Sequence, residues 1–158
     1  MAAMRRNPAI ELFWRLHPRV YRWSGGRLGG SLMGLPVLLL RTRGRKSGQP
    51  RETALMYLPR GEACAVIASV LGEPRHPAWY LNLRAHPEAE VQIGRELRPV
   101  CARDAEGAER DAIWSEFVLR QPVYADYARR TTRRIPVVVL EPATELRERA
   151  GGGRPPAR

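Results

Sequence analysis

Apolar residues fall in short runs of two kinds, separated by Gly, Pro and charged residues. Runs of about six to nine residues rich in Val, Leu and Ile read as strands. These are Pro36–Thr42, Arg51–Leu58, Ala63–Val70, Glu88–Ile93, Glu96–Arg103 and Ile135–Leu140. The short Pro59–Glu62 link makes Arg51–Val70 a hairpin, and Gly94-Arg95 makes another. Helical spacing marks a segment from Pro8, with Asn7 as its cap, to Leu16. His17-Pro18 should break it, with a second stretch running to Trp23. Further helices are expected at Ala78–Arg84, at Ala105–Leu119 with Asp104 as cap, and as a helix or turn at Pro122–Tyr127. About six mostly antiparallel strands with helices inserted late make an α+β fold, a small, partly open β-barrel with flanking helices.

At 158 residues one principal domain is expected, set at 31–145. Before it come an amphipathic helical segment and a Gly-rich linker (1–30); after it comes a disordered tail (146–158). The net charge is +11, yet Lys46 is the only lysine among 27 basic residues. That arginine bias fits GC-rich coding, so clustering of charge says more than its sum. No zinc-finger, RRM or clear helix-turn-helix signature supports a nucleic-acid partner. Cys64 and Cys101 lie in apolar runs as buried thiols, and His17, His76 and His86 have no metal-ligand spacing. Without a secretory signal or a spanning run, the expected address is the cytoplasm. The N-terminal segment mixes Ile10, Phe13, Trp14, Val20, Tyr21 and Trp23 with six arginines around one acid, Glu11. It suits an interfacial anchor on the inner membrane face, or a helix packed on the barrel or on a second subunit.

Charge clusters in one place. The loop after the first strand and its edges hold Arg41, Arg43, Arg45, Lys46 and Arg51, punctuated by Gly44 and Gly48 and closed by Gln49-Pro50. Such a loop offers cations and backbone N–H groups to a phosphate or carboxylate, or is simply a solvated basic hairpin. Ile67-Ala68-Ser69 ends a strand with small residues, leaving room for a flat ligand. In Pro77–Leu83, Trp79 and Leu83 share one face while Tyr80 and Leu81 turn away, and Asn82 ties down a loop. Tyr124 and Tyr127 share a helical face and either clamp a flat ligand or close a core. No nucleophile–base pair, Walker loop or G-x-G-x-x-G is visible, so an enzyme built on this chain would borrow its reactive atom from an organic cofactor.

Six stretches follow one another in order. They are T-x-G-R-K-S-G-Q-P-R at Thr42–Arg51, A-S at Ala68-Ser69, P-x-W-Y-L-N-L at Pro77–Leu83, A-R-D at Ala102–Asp104, Y-x-D-Y at Tyr124–Tyr127 and R-x-I-P-V-V-V-L-E-P at Arg133–Pro142. In these the chain resembles the deazaflavin-dependent nitroreductase and quinone reductase family, which uses coenzyme F420. The resemblance spans Pro36–Pro142 and implies a split β-barrel like that of FMN-binding reductases. It implies that Arg45, Lys46 and Arg51, with Ser47, Gly48 and Pro50, meet the cofactor's phosphate and glutamate tail. Ala68 and Ser69 would lie beside its ring, and Pro77, Ala78, Trp79 and Asn82 would shape the ring pocket. Tyr124 and Tyr127, the candidate catalytic residues, would cover the substrate side together with Met56. The implied reaction is hydride transfer from reduced F420 to a quinone, enone or nitroaromatic, in a monomer or homodimer; FMN is the alternative cofactor. Met56, Ala78, Val70 and Gln121 depart from the pattern of better-known members, so cofactor use carries over better than acceptor choice.

Overall fold

The computed structural model describes residues 8–144. The expectations for residues 1–7, including the Asn7 cap, and for the tail 146–158 lie outside the described residues. So do the side chains of Ile10, Glu11, Phe13, Trp14 and Arg15.

Helix α1 spans Pro8–Ser24 without interruption, with Pro18 inside it. The expected break at His17-Pro18 does not occur. Proline removes one helical hydrogen bond, but the following turn is held from outside. Tyr21 is 1% exposed, its hydroxyl donating to the Val37 carbonyl and accepting from the Gly94 N–H, each at 2.9 Å. The opposite side of α1 leaves Leu12, Leu16, Val20 and Trp23 exposed, the last at 84%. These positions lie three or four apart, on one helical stripe.

The strands are β1 (Ser31–Leu32), β2 (Leu35–Arg43), β3 (Pro50–Met56), β4 (Leu58–Arg60), β5 (Ala63–Ile67), β6 (Glu88–Ile93), β7 (Glu96–Asp104) and β8 (Val137–Pro142). Every pairing is antiparallel, in the order β1-β2-β6-β7-β8-β5-β4, with β3 on β2. This curled sheet with its helices is the expected α+β split barrel, with two short strands more than expected. The pairing of β3 differs from expectation. Its partner is β2, in register from Val37↔Met56 to Arg43↔Pro50, whereas the expected hairpin survives only as β4–β5. The chain changes partner at Tyr57, whose N–H still donates to Pro36 (3.0 Å).

Both faces of the central strands are covered, which explains their unbroken apolar runs. On β2, Leu38 and Leu40 face one core with Val66, Trp79, Val138 and Leu140, under helix α2 (Ala78–Ala85). Val37 and Leu39 face Tyr21 of α1. On β8, Val137 and Val139 face a third cluster with Phe117 of α3 (Gly107–Arg120) and Tyr124 and Tyr127 of α4 (Val123–Arg130). Asp104 ends β7 instead of capping α3, whose N-cap residue is Glu106. Its carboxylate accepts from the Tyr80 hydroxyl at 2.8 Å and from Arg84 at 3.2 Å. Tyr80 is therefore buried, not turned away from the core.

Candidate functional site

The loop between β2 and β3 is closed by its own backbone. The Gly44 N–H donates to the Gln49 carbonyl (2.8 Å) and the Gly48 N–H to the Gly44 carbonyl (2.7 Å). Gly48 sits at φ +68°, and a Cβ on Gly44 would lie 2.7 Å from the Ser47 Oγ, so both positions suit glycine. Residues 45–51 are exposed. Among the described residues, no carboxylate pairs with Arg43, Arg45, Lys46 or Arg51, and the N–H groups of Lys46 and Ser47 have no internal partner. Arg41 does not belong to this group. Its guanidinium is bound by Glu52 (2.9 Å) and Glu90 (3.1 Å).

One side chain fixes the loop to α2. Asn82 is 4% exposed. Its Oδ1 accepts from the Arg45 N–H (3.1 Å) and the Arg45 Nη1 (3.2 Å), while its Nδ2 donates to the Thr42 hydroxyl (3.2 Å). Asn82 is the loop tie expected from sequence, and it draws the exposed Arg45 side chain toward α2. Pro77 precedes α2 in extended geometry, Ala78 is exposed on its first turn, and the buried Trp79 ring meets Tyr80 edge-on at 6.2 Å.

At the end of β5 the Ala68 N–H donates to Pro136 (3.0 Å), and Ser69 is half-buried just beyond. The carbonyls of Ala68 and Ser69 both accept from Arg133, which also donates to the Glu73 carbonyl and meets His76. In the sequence Arg133 stands as the first residue of the R-x-I-P-V-V-V-L-E-P stretch, with no role assigned to it. Nothing local marks it out, because its partners lie 57–65 positions away.

Tyr124 and Tyr127 are 5% and 6% exposed and meet edge-on at 5.8 Å, with Phe117 edge-on to Tyr124 at 5.3 Å. The pair closes a core. Burial, then the neighbouring Tyr127, pushes the Tyr124 phenol far above its usual range, and burial raises Tyr127 as well. Half-buried Met56 packs on the same cluster. Four groups of expected residues are therefore joined along one path by three links: loop to α2 through Asn82, the start of α2 to the end of β5 through His76 and Arg133, and that turn to α4 through Gly72 and Tyr127. Two clefts, of about 490 and 330 Å³, open elsewhere, the first beside the Arg60–Glu116 and Arg103–Glu109 ion pairs and the second beside Tyr80 and Asp104. Neither is lined by any expected site residue, so the cationic loop, not cavity size, is what singles out the candidate site.

No resident group is part of this structure, but the donor set fits an anionic, flat one. Exposed cations without carboxylate partners among the described residues, and the unpaired amides of Lys46 and Ser47, suit a phosphate, and Ala68 and Ser69 put small side chains at the strand end.

The chain is 40% identical over 143 residues to an F420H(2)-dependent quinone reductase of Mycobacterium tuberculosis, covering 87% of this chain and 94% of that protein. A solved F420-H2 dependent reductase is 41% identical, with a TM-score of 0.62 over 67% of this chain and 94% of that one. A second solved chain, described as a domain-swapped dimer, is 34% identical, with a TM-score of 0.63 over 85% of this chain and all of that one. The profile described as F420H(2)-dependent quinone reductase matches residues 13–142. With that match, and with relatives aligned over nearly their whole length, the chain belongs to the F420H(2)-dependent quinone reductase family and is an enzyme of the deazaflavin-dependent reductase class.

Proposed function

We propose that this enzyme holds reduced coenzyme F420 by its phosphate and glutamate tail at the loop of residues 44–51 and reduces a quinone stacked on the ring. The observation that carries this is the loop itself: exposed cations with no carboxylate partner among the described residues, locked to α2 through buried Asn82. When bound, the cofactor supplies a hydride from C5 of its reduced deazaflavin. Lys46 and Arg51, with the amides of Lys46 and Ser47, bind the anionic end; Gly48 closes the turn, Arg45 is held by Asn82 at the loop's root, and Pro50 starts the return strand. Charge-assisted contacts of this kind contribute about 1.5–3 kcal/mol each. Ala68, Ser69, Pro77, Ala78 and Trp79 shape and orient the flat part and exclude water.

Met56, Tyr124 and Tyr127 stand on the acceptor side as a hydrophobic wall. Burial raises the pKa of both phenols, so the two tyrosines are neutral at working pH and weaker acids than free tyrosine. Enones and nitroaromatics share the electron-poor character that hydride acceptance needs, and quinones are placed first because the relatives act on them.

Titration of the purified protein with F420 and with FMN tests the cofactor. Micromolar F420 binding that weakens at least tenfold in a Lys46→Ala/Arg51→Ala variant, and weakens with salt, supports it. Binding of FMN but not F420 refutes it and makes the protein an FMN split-barrel reductase. A screen of quinones, enones and nitroaromatics with reduced F420 then ranks acceptors.

By analogy with the solved domain-swapped relative, the chain is expected to be a homodimer, which sedimentation checks. Among the described residues no helix is long and apolar enough to cross a membrane. The exposed Leu12, Leu16, Val20 and Trp23 stripe, flanked by Arg19 and Arg22, supports docking of α1 on anionic lipid. Co-sedimentation with anionic vesicles, with and without residues 1–30, tests that; equal pelleting removes it.

A further inference from the structure

Beyond Ser69 the chain passes through three consecutive residues of positive φ: Val70 (47°), Leu71 (55°) and Gly72 (80°). Two carry side chains, and Val70 is β-branched, so the turn is held against local preference. On one side Gly72 backs onto α4, where an added Cβ would sit 2.7 Å from the Tyr127 carbonyl oxygen and 3.0 Å from its Cα. On the other side stands Arg133. Its Nη2 donates to the carbonyls of Ala68 (3.1 Å) and Ser69 (2.8 Å), its Nε to that of Glu73 (3.0 Å), and its Nη1 lies 3.3 Å from the His76 Nδ1. No ion pair between Arg133 and a carboxylate is found among the described residues. This guanidinium uses its fork on main-chain oxygens of one strained turn, a geometry a lysine cannot copy.

We propose that Arg133 is a positioning residue of the reductase, a clamp that sets the Ala68–Pro77 edge of the site, with neutral His76 completing it as a hydrogen-bond acceptor. This rests on the reading that places the flat cofactor beside Ser69 and α2. The His76 Nδ1 accepts only while the imidazole is neutral with its proton on Nε2; a second proton turns the acceptor into a donor facing a cation. The groups around His76 are Arg133, Arg84, the Asp104 carboxylate, the Tyr80 ring at 5.0 Å, and the Glu73–Arg75 pair on its own loop. Burial, then Arg133, holds its pKa below the usual histidine value, against the opposing pull of Asp104. The His76 contact is therefore present at neutral pH and is lost as pH falls through that lowered value, which weakens the clamp while the carbonyl contacts of Arg133 remain.

The test measures F420 affinity at pH 7.5 and 5.0, and amide hydrogen exchange without cofactor, for the wild type, Arg133→Ala, Arg133→Lys and His76→Gln. Arg133→Ala should bind about tenfold more weakly at both pH values, with faster exchange confined to residues 68–77, and Arg133→Lys should not rescue it. The wild type should weaken several-fold between the two pH values, and His76→Gln should weaken less; ionisation of the cofactor is common to both. Wild-type affinity in Arg133→Ala overturns the proposal, as does an undiminished pH step in His76→Gln. If Arg133→Ala does not fold, His76→Gln carries the test alone. A wild-type protein that ignores F420 but shows Arg133-dependent protection of residues 68–77 refutes the cofactor reading and supports the clamp.

Discussion

Replacing Asn82 with alanine should loosen the cationic loop and lower stability together. The change removes the acceptor of the Arg45 N–H and of the Arg45 Nη1, and the donor to the Thr42 hydroxyl. Neutral hydrogen bonds contribute about 1 kcal/mol each and one to a charged group about 1.5–3 kcal/mol. Arg45 is exposed and regains water, whereas Thr42 is buried and keeps an orphaned hydroxyl. The expected loss is about 3 kcal/mol, and for a domain of this size each kcal/mol moves Tm by about 2–4 °C, so Tm should fall by about 6–12 °C. Asn82→Asp keeps the acceptor, and the Thr42 hydroxyl can rotate to donate, so its Tm should fall less. Its added negative charge should nevertheless weaken F420 binding. Thermal melts followed by circular dichroism, with cofactor titrations by fluorescence, separate the two effects. An Asn82→Ala protein melting within about 1 °C of wild type would refute the claim that Asn82 ties the loop to α2.

Three further changes probe other parts of the path. Gly72→Ala should cost about 1–3 kcal/mol from left-handed backbone strain, with a close approach to Tyr127 in addition, seen as a lower midpoint in urea; an unchanged midpoint contradicts the turn geometry. The buried Cys64 thiol, pushed up to about 11 by burial, should react with a disulfide reagent at pH 8 only as fast as the protein opens. Reaction at the free-thiol rate from this position would contradict its burial. Tyr127→Phe keeps the ring packing and removes a hydroxyl without a protein partner among the described residues. F420 affinity should stay within about twofold on that ground, while turnover or acceptor preference changes; loss of cofactor binding would put the tyrosines on the other side of the ring.

The strands were legible because apolar run length and Gly/Pro punctuation are local. Their partners were not. The stretch Pro50–Met56 is equally able to pair backward or forward, and the bend at Tyr57, where the chain leaves β2 for β5, has no punctuation of its own. Pro18 shows the converse: a strong local breaker overruled by Tyr21, whose hydroxyl reaches Val37 and Gly94 from the following turn. Tyr80 was placed on the outer face because α2 was read as having one core, and the acid that satisfies its hydroxyl is Asp104, 24 positions on.

Three arginines carry the same lesson into the site. Arg41, Arg45 and Arg133 are alike in sequence, each beside a strand and among other basic residues. Arg41 is neutralised by Glu52 on β3 and Glu90 on β6, and is lost to anion binding. Arg45, though exposed, is anchored by Asn82 at the root of the loop, which leaves Lys46 and Arg51 as the cations within residues 45–51 without a side-chain partner among the described residues. Arg133 faces carbonyl oxygens and a histidine, and organises the turn beside Ser69. What separates the three fates is the partner each meets 11 to 65 residues away. Charge here is therefore sorted by pairing: on the proposed reading, the arginine at the Ser69 turn and the cations offered to the ligand are those without a carboxylate partner among the described residues.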